Sequence, residues 1–204
     1  MHDSVVAQRD QILESILPDV VFSGWSWPAV SAAAEKAGLP ATMAAAVFPG
    51  GLPDVVAHFS DWADREMMKE LAGTNPADLR VRDRVRVAVE ARLTVLAPHR
   101  EAVRAALSYW AMPLRGVRAG GVVWRTADRI WDWAGDTATD YNRYTKRTLL
   151  CGVIASTTLA WLGDDSGDMA GTRAFLSRRI ENVMQWGQFI GKIKEHVPGG
   201  RRAV

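Results

Sequence analysis

Apolar residues recur three and four positions apart along nearly the whole chain, and no stretch alternates well enough to predict a strand. Ile12, Leu13, Ile16 and Leu17 form the first stripe, behind a capping residue at Ser4. Val81, Val85, Val89, Leu93 and Leu96 form another; Val81-Arg-Asp-Arg-Val85 alternates briefly, but the i, i+4 stripe runs past it and Ala88, Glu90 and Ala91 favour helix. Proline and glycine cut this pattern into about nine predicted helices. The second runs from Trp27-Pro28 to Gly38 and a short third from Pro40 to Pro49-Gly50-Gly51. A fourth spans Pro53 to Leu71, a fifth Asn75-Pro76 to Ala97, and a sixth Pro98 to Trp110. The seventh follows Pro113 and stops at Gly135. Thr137-Ala-Thr-Asp140 reads as a capping box opening the eighth, which reaches Leu162; Ser166 or Asp168 caps the last, which runs to about Glu195.

The expected class is therefore all-α. Its opening order is a long helix, Gly24, an Ala-rich helix, Gly38, a short helix ending at Phe48 and another long helix. That order is similar to the helix-turn-helix module of TetR-type regulators, which places a degenerate module at 1–60, a helical binding and dimerisation domain at 61–196 and a tail at 197–204. Charge changes the picture. Residues 1–70 carry four basic and ten acidic side chains, whereas 71–204 carry 21 and 13. The would-be recognition helix, Pro40 to Phe48, holds no cation and no amide, so duplex DNA is an unfavourable partner: base edges are read by such groups and phosphates by basic neighbours.

Composition narrows the chemistry further. The single cysteine, Cys151, excludes an internal disulfide and a cysteine-based zinc site. No apolar run approaches the ~20 residues that span a bilayer, and the start, MHDSVVAQRDQ, lacks signal- or transit-peptide character, so a cytoplasmic location is expected. Asp128, Asp132, Asp136 and Asp140 recur every four residues, but Gly135 interrupts the helix that would align them into a metal site. His2, His58, His99 and His196 are scattered, and no phosphate loop or nucleophile elbow occurs. No catalytic residue, metal or cofactor is expected.

Nine tryptophans supply bulky apolar surface. Leu93, Leu96, Leu107, Trp110, Met112, Leu114, Trp124, Leu159, Trp161, Leu176, Met184, Trp186 and Phe189 can line an apolar cavity between helices or form a plain core, and the pattern alone leaves both open.

Rings, carboxylates and a basic pair crowd into Trp131-Asp-Trp-Ala-Gly-Asp-Thr-Ala-Thr-Asp-Tyr-Asn-Arg-Tyr-Thr-Lys-Arg147, the composition of a partner-binding patch. This stretch resembles the W-x-x-AGD-x-x-TD-[FY]-x-x-Y-[ST]-[KR]-R signature of the lipid-binding accessory proteins of ubiquinone (coenzyme Q) biosynthesis, non-catalytic proteins with a TetR-like fold. The resemblance implies a homodimer that binds an isoprenoid lipid or quinone precursor in its cavity. It also implies docking onto the demethoxyubiquinone hydroxylase through Asp128, Ile130, Trp131, Asp140, Asn142, Tyr144 and Lys146. Arg143 departs from relatives that carry an aromatic there, exchanging an apolar anchor for a cation on the same patch. A weak membrane contact at the inner face is implied through Phe189, Ile190 and Ile193 beside Lys192, Lys194, Arg201 and Arg202. The alternative reading is a TetR-type repressor whose cavity senses an apolar effector.

Overall fold

The computed structural model describes residues 2–137 and 141–196, and side chains over 3–137 and 143–184. Ten α-helices and no strand occur among the described residues: α1 (His2–Ile16), α2 (Val20–Ser23), α3 (Trp27–Lys36), α4 (Ala41–Val47), α5 (Leu52–Glu70), α6 (Val81–Leu96), α7 (Arg100–Trp110), α8 (Gly116–Trp133), α9 (Tyr141–Leu162) and α10 (Ala170–His196). The all-α expectation holds. One helix more than expected appears because Leu17–Asp19 winds into a 3-10 turn around Pro18, after which the single turn α2 forms before Gly24. The capping box expected over residues 137–140 lies largely outside the described residues.

Chain punctuation works by ordinary backbone chemistry. Pro28 and Pro53 occupy the first turns of α3 and α5, where a missing N–H costs no helical bond. Gly38 ends α3 at φ 77°, with its N–H on the Glu35 carbonyl and the Leu39 N–H on the Ala34 carbonyl, both at 2.9 Å. That pair of bonds is a Schellman cap, which a Cβ at positive φ disfavours. α10 is capped differently from expectation. Asp164, rather than Ser166 or Asp168 alone, accepts the Thr172 N–H at 2.7 Å, while Asp168 accepts that of Ala170 at 3.1 Å.

α1, α3 and α4 close around Ile12, Leu13, Ile16, Val30, Ala34, Val47 and Phe48, all buried. Each of the larger side chains contributes roughly 1.5–3 kcal/mol by leaving water. α4 turns Thr42, Ala45 and Ala46 outward, so its exposed face offers a base pair one hydroxyl and no charge. α5 is the central strut. It buries Val55, Val56, Phe59, Trp62, Ala63 and Met67 and packs against α1, α6 and α8, carrying the core from the N-terminal module into the rest of the bundle. α9 lies against α8 and α10.

Candidate functional site

Between α5, α6, α7, α8 and α9 the bundle leaves an apolar cavity of about 110 Å³, with Val56, Phe59, Leu96, Val103, Leu107, Trp110, Val122 and Ile154 on its walls. Leu96, Leu107 and Trp110 were expected in such a cavity. Val103, Val122 and Ile154 were not, because on their own helices they read as ordinary stripe residues.

One wall is polar, and no sequence pattern announced it. Arg92 of α6 is buried with its Nε donating to Asp64 Oδ1 at 2.8 Å and its Nη2 to Ser60 Oγ at 2.9 Å. The Thr126 hydroxyl donates to the same carboxylate at 2.9 Å. Arg129 stands 3.6 Å from Asp64 and donates to Asp61 at 2.7 Å. Asp61 also accepts from Arg65 at 3.1 Å, and Arg65 clasps Asp10 of α1 through two bonds of 2.7 and 2.6 Å. His58 Nε2 completes the series 2.7 Å from Asp10. Burial opposes ionisation of Asp10 and Asp61, but their arginine partners outweigh it and hold both carboxyls below the usual range. For His58 burial dominates over the Asp10 carboxylate and pushes the imidazole pKa down.

A second apolar cleft, about 190 Å³, lies between α6, α8, α9 and α10. Val85, Trp131, Leu150, Val153, Ile180 and Met184 line it, and Lys146 reaches over the Trp131 ring, 5.5 Å from its centre. The buried indole N–H of Trp131 has no acceptor among the described residues. A buried donor without a partner is costly and rare.

Above the cleft, the signature stretch is held by Arg147. Its guanidinium, 1% exposed, bonds the Asp128, Asp132 and Asp136 carboxylates, the last two at 3.1 Å. Arg143 adds a 3.1 Å bond to Asp128, and Lys146 a 2.6 Å bond to Asp136. Three of the every-fourth-residue carboxylates, Asp128, Asp132 and Asp136, therefore converge despite the helix end at Gly135, but on a cation; among the described residues no group of His, Cys, Asp and Glu could hold a metal ion. Burial works against the Arg147 charge, while the Asp128 and Asp136 bonds more than compensate and raise its pKa. Gly135 allows the convergence. At φ 80° it closes a Schellman cap on α8, with the Asp136 N–H on the Trp131 carbonyl at 2.9 Å, and so turns Asp136 back toward Arg147. Beside it the Tyr144 ring, largely exposed, lies 6.1 Å from the Trp124 ring.

Other expected residues fall elsewhere. Leu93, Trp161 and Leu176 are buried in the core, and Ile130 is fully buried there, so it cannot face a partner. Met112, Leu114 and Leu159 are exposed rather than lining a cavity. Trp124 is half-buried against Tyr144, away from the lining of either apolar space. Asp140, and the side chains of Asn142, Trp186 and Phe189, lie outside the described residues. A polar groove of about 560 Å³ between α1, α5 and α8 carries Arg9, Asp54, His58, Asp61, Arg118 and Arg125, a mixed-charge lining unsuited to an apolar ligand.

A helix-turn-helix-like module followed by a bundle enclosing an apolar cavity defines a protein of the TetR-regulator fold. The TetR transcriptional regulator from Nitrosomonas europaea ATCC 19718 superposes with a TM-score of 0.67 over 87% of this chain and 98% of that one, at 21% identity. The family model that matches, over residues 118–187, is that of COQ9, and the matched span contains the whole signature. The chain is 31% identical over 193 residues to the mitochondrial ubiquinone biosynthesis protein COQ9 of Rattus norvegicus, covering 91% of this chain and 62% of that protein. It is 28% identical over 200 residues to the Homo sapiens protein of the same name, with 95% and 63% covered. The chain is similar to these COQ9 proteins and spans less than two thirds of the length of either.

Proposed function

We propose that this chain is a non-catalytic accessory protein of ubiquinone biosynthesis that binds an isoprenoid or quinone precursor and presents it to the demethoxyubiquinone hydroxylase. The observation carrying this reading is the apolar cavity closed on one side by the buried Arg92–Asp64–Thr126 cluster, a lining matched to a ligand with a polar ring and an apolar body. The names of the relatives, ubiquinone biosynthesis proteins, support the pathway. At about 110 Å³ the space is smaller than the roughly 300 Å³ or more of a typical ligand pocket, so loading a polyprenyl chain requires the helices around it to part. The hydroxylase docks on the Arg147-organised surface, where Tyr144, Trp131, Lys146 and Arg143 stand together, with Asp140 and Asn142 as further contacts. A second copy of the chain completes a homodimer.

Native mass spectrometry with lipid extraction, on protein purified from its own host, tests the reading. Quinone or isoprenoid at about one per subunit is expected, by the stoichiometry of one cavity per chain. Lipid-free protein that also fails to capture the hydroxylase overturns it. The TetR likeness keeps one other reading, a repressor sensing an apolar effector. Against it stand the outward face of α4 and the acidic first 70 residues; a salt-sensitive shift with genomic DNA fragments would reinstate it.

A further inference from the structure

The turn joining α7 to α8 serves neither the cavity nor the signature surface. Over residues 111–121 every residue is exposed except Arg115 and Ala119, which are half-buried. Met112 is 52%, Val117 94% and Leu114 102% exposed. Isolated apolar residues on a surface are ordinary, whereas three large ones within six positions at a turn form a patch that marks an interaction site.

Leu114 sharpens the point. Its φ is 71°, in the left-handed region that glycine or asparagine enters at least cost. A leucine held there with its whole side chain in water gains nothing from packing and suffers backbone strain, so folding does not account for it. Charge supplies the rest. Residues 102–127 contain four arginines (104, 115, 118 and 125) and no Asp or Glu. Arg115 is fixed at the base of the turn, its Nη1 on the Tyr109 carbonyl at 3.2 Å and its guanidinium 3.9 Å from the centre of the Tyr109 ring. Arg118, one turn into α8, pairs with Asp54 of α5.

We propose that this turn is a membrane-surface anchor: Leu114, Val117 and Met112 enter the headgroup boundary of an anionic bilayer while Arg115 and Arg118 meet its phosphates. Exposed apolar side chains rimmed by arginine bind such surfaces through apolar burial and attraction to anionic lipid together. Leu107 and Trp110 immediately precede the turn and Val122 and Val123 follow it, and all four line the apolar cavity. The anchor thus sets one end of that cavity toward the lipid phase. This last consequence rests on the lipid-binding reading above; the surface contact does not.

Vesicle flotation of the full chain tests it, using phosphatidylcholine vesicles with and without abundant phosphatidylglycerol and comparing the unaltered chain with the double variant L114G/V117S. The unaltered chain floats with the anionic vesicles, and the double variant's partition falls roughly tenfold or more for the loss of two bulky apolar contacts. Its melting temperature does not fall, because glycine relieves the positive φ at position 114. Equal flotation of both proteins overturns the proposal and assigns the contact to another segment. Absence of flotation by the unaltered chain overturns it too, and if the double variant then loses hydroxylase capture, the turn is a protein contact. Lipid content measured by extraction is a separate readout, so an empty cavity with intact flotation sinks the cargo reading and leaves the anchor standing.

Discussion

The Arg147 guanidinium and the Asp136 carboxylate meet at 3.1 Å with 1% and 5% of their side chains exposed, locking the end of α8 onto the first turns of α9. Breaking a pair this buried leaves Asp136 with only the half-exposed Lys146 as its cation and removes the guanidinium that holds Asp128 and Asp132. Arg147→Ala is expected to cost roughly 3–5 kcal/mol in denaturant unfolding. Lys146→Ala, which removes a half-exposed partner of the same carboxylate, should cost less than about 1 kcal/mol. Similar losses from the two variants would show that Arg147 is not the organiser.

Ala106 lies on the wall of the apolar cavity. Ala106→Leu places three more carbons into that space. Stability should stay within about 1.5 kcal/mol of the unaltered chain, while co-purified lipid drops severalfold on extraction. Undiminished lipid in a well-folded variant would move the binding site to the cleft beneath Trp131.

Tyr144 is largely exposed, its ring tilted against that of Trp124 without entering the core. If it anchors the hydroxylase, Tyr144→Ala weakens binding by roughly 1–2 kcal/mol, read by surface plasmon resonance, with melting nearly unchanged. Equal affinities would remove this surface from the docking hypothesis.

The His58–Asp10 pair makes stability depend on pH. Burial holds the folded-state pKa of His58 below the ordinary imidazole value of 6.5, so as pH falls through that value the unfolded chain takes up a proton first. Stability is therefore full above that pH and declines below it. Asp10 and Asp61, both depressed from 3.8, add a second loss in more acidic solution. Melting curves between neutral and mildly acidic pH should show the first decline, and His58→Gln, which keeps a neutral donor, should flatten it. An unchanged slope in that variant would rule out His58 as its source.

The helices were legible in the sequence because proline, glycine and stripe spacing act locally. Gly38 and Gly135 stop α3 and α8 for reasons visible in a few residues. The polar wall was not legible, since Asp64 and Arg92 sit 28 positions apart and each reads alone as a solvated charge on an amphipathic helix. The same limit misplaced Ile130. Next to the signature it looks like a partner contact, yet only the packing of α8 shows that it points inward. Leu114 erred the other way, apolar by composition and fully exposed by backbone geometry.

The ion pairs running Asp10–Arg65–Asp61–Arg129–Asp64–Arg92 link α1, α5, α8 and α6 through alternating charges. Each member satisfies the next, so extracting any one leaves its neighbours short of a partner. Through Asp10 the first helix is thereby tied to the same charge series that forms the polar wall of the cavity.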